Sequence, residues 1–297
     1  LPAIIFNTTA HCKPCMANRN SYINKDTLIA AAITVMLFAC GTSKKTAGSA
    51  APAKPAAWVK TLHDSLHIQT YKSAVISSRP NLVIVIHGDA PFNNPGYQYV
   101  LAKMLAAENS NTIAVGLLRP GYTDPNNNKS PGKKGLTTGD NYTAPIVDDI
   151  AAAITNLKTL YNPGKTIIAG HSGGSAITAD VISRHPGIAD GAAIVSCPCN
   201  VAEWRAHMKA LQKDTDVWDR PVNSLSPNDL VQGIDSKTKI VVVTGEKDNV
   251  APTVLSNNYY AQLKQRNLNA ELIIIKGAGH EIFLTDSVRQ AIGALIK

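Results

Sequence analysis

The sequence predicts an α/β fold built on a mostly parallel sheet, and three observations carry that prediction. Apolar runs of strand length recur along the chain, among them Leu82-Val83-Ile84-Val85-Ile86, Ile113 to Leu118, Thr166 to Ala169, Ala192 to Val195 and Ile240 to Thr244. Runs without polar alternation suit strands covered on both faces. Helical stretches alternate with them, which favours crossover connections. Directly after the strand-like runs come turns that carry reactive side chains, including Ser172, Asp248 and His280. If the strands are parallel, those turns share one edge of the sheet.

Taken in order, residues 1–15 read as sequence upstream of the true start or as a cloning remnant, with Met16 as the expected start. Cys12 and Cys15 are then incidental. Arg19 and Lys25 precede the apolar run Leu28 to Ala39, the pattern of a secretory signal over residues 16–40, too short to remain as a spanning helix. The segment Leu37-Phe38-Ala39-Cys40-Gly41 resembles a bacterial lipobox, which implies lipidation of Cys40, although Phe38 is bulky for that place. Residues 41–57 lack apolar periodicity and read as a flexible tether. The expected location is therefore the bacterial cell envelope, as an exported lipoprotein attached to a membrane only through Cys40.

The folded domain is expected over residues 58–297. Leu66 to Tyr71 alternates like an entry strand, and Leu82 to Ile86 leads into His87-Gly88-Asp89. Tyr97 to Ala107 has helical spacing, Ile113 to Leu118 is the next strand, and Arg119-Pro120-Gly121-Tyr122 follows it. The long polar stretch 123–143 reads as a loop that contacts substrate. Pro145 to Tyr161 predicts a helix. Residues 200–236 form a small cap-like insertion holding Trp204, Arg205, His207, Trp218 and Arg220, with a helix start at Ser226-Pro227. Glu271 to Lys276 predicts a strand. Asp286 to Ile296 places Val288, Ala291, Ile292 and Leu295 at helical spacing and predicts the last helix.

Gly170-His171-Ser172-Gly173-Gly174 is the most informative stretch, lying between a strand and an alanine-rich helix. A serine there sits on a sharp turn that only small flanking residues permit. Its hydroxyl needs a histidine base, itself oriented by a carboxylate. Asp248 and His280 supply both, each just past a separate strand. His171 and His87 read as structural braces, and His185 and His207 as surface or cap residues. No histidine pair has metal-ligand spacing, so neither a metal nor another cofactor is expected.

With 297 residues, 44% hydrophobic and 17% charged, the chain can bury a sizeable core. The net charge of +8 with few aromatics and no nucleic-acid motif argues against a nucleic-acid partner and leaves a preference for anionic substrates open. Cys197 and Cys199 read as two small, mostly buried thiols, with a strained redox bond or a metal pair as the alternative. Oligomeric state is not legible.

The ordered set His87-Gly88-Asp89, Gly170 to Gly174, Gly245-Glu246-Lys247-Asp248 with Pro252, and Gly277-Ala278-Gly279-His280 resembles the α/β-hydrolase superfamily over residues 61 to 297. That resemblance implies an α/β-hydrolase fold with helices on both faces of the sheet and the small insertion after the sixth strand. It implies a serine hydrolase acting on a small-molecule carboxylic ester, with Ser172, Asp248 and His280 catalytic. Backbone N–H groups of Gly173 and Asp89 would hold the oxyanion, with Gly88 in reserve, the Asp89 carboxylate having to point away. Tyr122 and Trp204 are candidate substrate contacts, although Trp204, near a helix start, reads first as packing. A peptidase or amidase of prolyl oligopeptidase type is the alternative, although no propeller segment precedes the domain. A non-catalytic lipoprotein retaining the fold is the other.

Overall fold

The computed structural model describes residues 57–297. The upstream stretch, the signal-like run with Cys40 and the tether as far as residue 56 lie outside the described residues. Eight strands form one sheet in the order β1-β2-β4-β3-β5-β6-β7-β8. They are β1 (Trp58–Lys60), β2 (Ser65–Lys72), β3 (Asn81–Ile86), β4 (Thr112–Leu117), β5 (Lys165–His171), β6 (Gly191–Val195), β7 (Lys239–Gly245) and β8 (Ala270–Ile275). β1 and β2 run antiparallel at one edge; every pair from β4 to β8 is parallel. This is the expected α/β-hydrolase fold. The sequence pattern does not reveal β1, since 3 residues are too few to show alternation.

Why the strands read as unbroken apolar runs is clear from the two cores. Successive side chains alternate across a sheet. Leu82, Ile84 and Ile86 face one core with Ile168, Ile194 and Val242, while Val83 and Val85 face the other with Ala169, Val195 and Val243. The first core is covered by α2 (Ala144–Tyr161), α3 (Gly173–Arg184) and α6 (Thr253–Gln265); the second by α1 (Tyr97–Glu108) and α7 (Asp286–Ile296). Each fully buried Val, Ile or Leu contributes about 1.5–3 kcal/mol. The double cover leaves loops along the strands' C-terminal edge as the place for chemistry.

The insertion after β6 folds as α4 (Val201–Leu211), a 3-10 turn (Val217–Asp219), the short α5 (Pro227–Leu230) and a second 3-10 turn (Val231–Gly233). Asn200 caps α4 by accepting from Glu203 N–H at 3.2 Å. Ser226 precedes α5 as expected, but its hydroxyl accepts from Val201 N–H instead, tying the insertion's two ends together. Cys197 and Cys199 are joined by a disulfide, their Cα atoms 5.0 Å apart, where free thiols were the first expectation. The strand end at Val195 and the turn at Ser196 bring the two sulfurs together, which spacing in sequence does not reveal. No helix among the described residues is long and apolar enough to cross a membrane.

Candidate active site

Ser172 occupies the turn between β5 and α3 with φ 53° and ψ −124°. That positive φ is unfavourable for a side-chain-bearing residue and marks a backbone held by its surroundings. Close packing provides the hold. A Cβ on Gly170 would fall 2.2 Å from the Gly174 carbonyl oxygen, and one on Gly174 would fall 2.3 Å from that of His87. Ser172 N–H donates to Val195 O across to β6 at 2.9 Å.

The turns after β7 and β8 bring Asp248 and His280 together. His280 Nδ1 lies 2.9 Å from Asp248 Oδ2 and 3.0 Å from Oδ1. Burial pushes the Asp248 carboxyl up, but His280 and the amides of Ala251 and Val250 outweigh it and hold the group below its ordinary range. Ser172 and His280 line one cavity. No hydrogen bond joins their side chains among the described residues; such contacts often close only around substrate.

A chain of hydrogen bonds ties three strand ends behind this pair. Gly88 N–H donates to Tyr97 Oη at 2.5 Å, that hydroxyl donates to His171 Nδ1 at 3.1 Å, and His171 Nε2 donates to the His280 carbonyl at 3.1 Å. The donor directions follow from the one order in which every group is satisfied. Burial, with His280 nearby, pushes the His171 imidazole down to about 3, so it is neutral in this role. Ser196 Oγ donates to the same carbonyl at 3.1 Å. Gly88, the reserve oxyanion position, thus has its amide already engaged by Tyr97. Tyr97 carries no motif, only helical spacing, and the sequence offered no signal for its part.

Asp89 is held from behind. Its Oδ1 accepts from Arg119 Nη1 at 2.8 Å and from Tyr122 Oη at 3.2 Å, and its Oδ2 from Tyr142 Oη at 2.6 Å. This turns the carboxylate toward the protein and leaves the Asp89 and Gly173 amides with no partner among the described residues. Tyr122 does not contact the cavity: it is 1% exposed and spends its hydroxyl on Asp89, contrary to its expected substrate role. A buried Arg119 needs these partners more than a substrate needs the tyrosine. His87 is the brace expected, with Nδ1 donating to Gly88 O at 2.7 Å and Nε2 accepting from Arg119 N–H at 3.0 Å.

The cavity measures about 650 Å³. Trp204 lines it and also packs, meeting Trp218 edge to face at 5.5 Å and donating from Nε1 to Val250 O at 2.8 Å. Met208, Val217 and Trp218 extend this apolar wall, and Phe92 also lines the cavity. Leu136, Thr137 and Thr138 bring part of the 123–143 loop to the cavity. Arg205 turns away, bonding the carbonyls of Thr138, Trp218 and Arg220. His185 bonds Asp148, and His207 the Asn249 carbonyl, both away from Ser172.

Known proteins resemble this arrangement at two levels. The prolyl oligopeptidase family matches in sequence over residues 138–293, more than half of the chain. No curated protein matches the chain in sequence. Among solved structures, the acylaminoacyl peptidase of Pyrococcus horikoshii superposes with a TM-score of 0.59 at 14% identity, over 80% of this chain and 39% of that one. The chain therefore spans about two fifths of that peptidase's length. Est1E from Butyrivibrio proteoclasticus, solved with ferulic acid bound, gives 0.61 at 18% identity, over 82% and 96%. The Pyrococcus furiosus esterase Pf2001 gives 0.59 at 17%, over 80% and 88%. At these identities the structures speak for the fold, while the sequence match speaks for descent: the chain belongs to the prolyl oligopeptidase family, serine hydrolases of the α/β-hydrolase superfamily.

Proposed function

We propose that the protein hydrolyses carboxylic esters through an acyl-enzyme on Ser172. The supporting observation is the positive-φ serine in the same cavity as a histidine whose Nδ1 is bonded to a buried aspartate. His280 Nε2 accepts the Ser172 proton as Oγ attacks the carbonyl carbon, while Asp248 fixes the tautomer and stabilises the imidazolium. The amides of Gly173 and Asp89 receive the oxyanion, whose charge develops only as the tetrahedral intermediate forms. His280 returns the proton to the departing alcohol, then activates water to release the acid.

Ester is favoured over peptide because Ser172 opens into a cavity of about 650 Å³ walled by Trp204, Met208, Val217 and Trp218, which suits a small apolar acyl group. Family membership supports peptide or amide hydrolysis as the second reading. The test is fluorophosphonate labelling of the full chain against Ser172→Ala, followed by p-nitrophenyl esters of rising acyl length beside a prolyl amide. Labelling lost in the variant, with esters turned over, supports the proposal. Amide turnover favours the peptidase, and an unlabelled folded wild type overturns both. We further propose export and lipid attachment at Cys40, expected to be lost from the membrane fraction in Cys40→Ser.

A further inference from the structure

The chain carries a net charge of +8, yet among the described residues no lysine or arginine lines the cavity that holds Ser172 and His280. Its carboxylates are Asp89 and Glu281, and they differ. Asp89 is neutralised from behind by Arg119 at 2.8 Å. Glu281 follows His280 directly, is exposed, and has no hydrogen-bond or ion-pair partner among the described residues. Trp204 and Trp218 line the same cavity, and Phe92, also on its lining, is 98% exposed. A large aromatic ring left in water beside an apolar hollow has surface to bury against an occupant.

From these positions we infer that the site selects substrates by charge and shape together. Esters with a ring-sized apolar group and a neutral or cationic second group are taken, anionic ones are rejected, and Glu281 sets the charge preference. The inference rests on the serine hydrolase reading above. A substrate carboxylate or phosphate entering this cavity meets no lysine or arginine and lies beside the unpaired charge of Glu281, whose repulsion is open to screening by salt because the residue is exposed. An ammonium group finds a counter-charge in Glu281 and aromatic faces within the same cavity. The basic character of the chain as a whole therefore does not carry into the site.

The test compares 3-phenylpropanoyl esters of three alcohols of similar length, ending in trimethylammonium, tert-butyl or carboxylate, with the matching acetyl esters. Values of kcat/KM are measured on the full chain at low and high salt. In the wild type the cationic ester is expected to exceed the anionic one by on the order of 10-fold, a ratio that shrinks with salt. It falls toward unity in Glu281→Gln and inverts in Glu281→Lys. Phe92→Ala is expected to raise KM more for phenylpropanoyl than for acetyl esters. A ratio unmoved by Glu281→Gln, or a wild type that prefers the anionic ester, overturns the inference. Fluorophosphonate labelling of the same samples separates the two failures: a labelled wild type with a flat ratio refutes the charge selection alone, whereas no labelling refutes the hydrolase reading beneath it.

Discussion

His171 donates from Nε2 to the backbone carbonyl of His280 at 3.1 Å, and the two rings lie 5.0 Å apart. The residue before the serine thus positions the loop that carries the proposed base. His171→Phe keeps a ring able to stack on Phe283, which lies 5.2 Å away, but removes the donor to His280 and the acceptor for Tyr97, of which the first bears on the base. Activity is expected to fall about 10-fold in kcat, in line with the loss of about one hydrogen bond's stabilisation. Steady-state kinetics on pre-acylated and full-turnover reactions would show whether the loss follows proton transfer.

His171 also predicts an acid sensitivity. Its folded-state pKa, about 3, lies below the 6.5 of an unperturbed imidazole. The unfolded chain therefore binds more protons between those values, and stability falls as pH drops from 6.5 toward 3. His87, pushed well below its ordinary value by burial and by Arg119, adds to the same loss. Urea denaturation at pH 7.5 and 4.5 is expected to show His171→Phe losing less stability on acidification than the wild type.

The Asp89 clamp gives a separable test. Tyr142→Phe removes the 2.6 Å bond to Oδ2 while leaving Arg119 on Oδ1. If the clamp holds the Asp89 amide toward the oxyanion, kcat falls by about 10-fold with KM little changed, since the interaction matters only once charge develops. Arg119→Met leaves Asp89 partly buried without its counter-ion and is expected to destabilise the fold by about 3–5 kcal/mol.

Asp180 on α3 is fully buried, and neither carboxyl oxygen has a partner among the described residues. Burial raises its pKa well above 3.8. The folded state then holds a proton that the unfolded chain has released, so this group lowers stability as pH rises above about 4. Asp180→Asn removes that liability and is expected to stabilise the protein by about 1–3 kcal/mol at pH 7.5. The gain vanishes near pH 3.5, which thermal melts at both pH values would reveal.

The turn between β5 and α3 tolerates no side chain at Gly174. A Cβ there meets the His87 carbonyl oxygen at 2.3 Å, backbone that cannot yield without moving β3. Gly174→Ala is expected to cost about 1–3 kcal/mol of stability from overpacking and to displace Ser172, visible as lost fluorophosphonate labelling in the fraction that folds.

The sequence alone determined the strands of the sheet other than β1, the serine turn and the identity of the residues beyond the strand ends. Those are local properties: apolar runs, helical spacing, and glycines where a serine turn leaves no room. Tertiary structure decided what the polar side chains beside them do. Asp89 faces Tyr142 across 53 positions, and Tyr122 is taken from the substrate by that same carboxylate. Gly88 is engaged by Tyr97, which had no motif to mark it. Cys197 and Cys199 join because the turn after β6 brings them together. Each outcome is a competition for hydrogen-bond partners or space between segments distant in the chain. Periodicity carries no record of such contacts, because burial obliges each polar group to find a partner without specifying which.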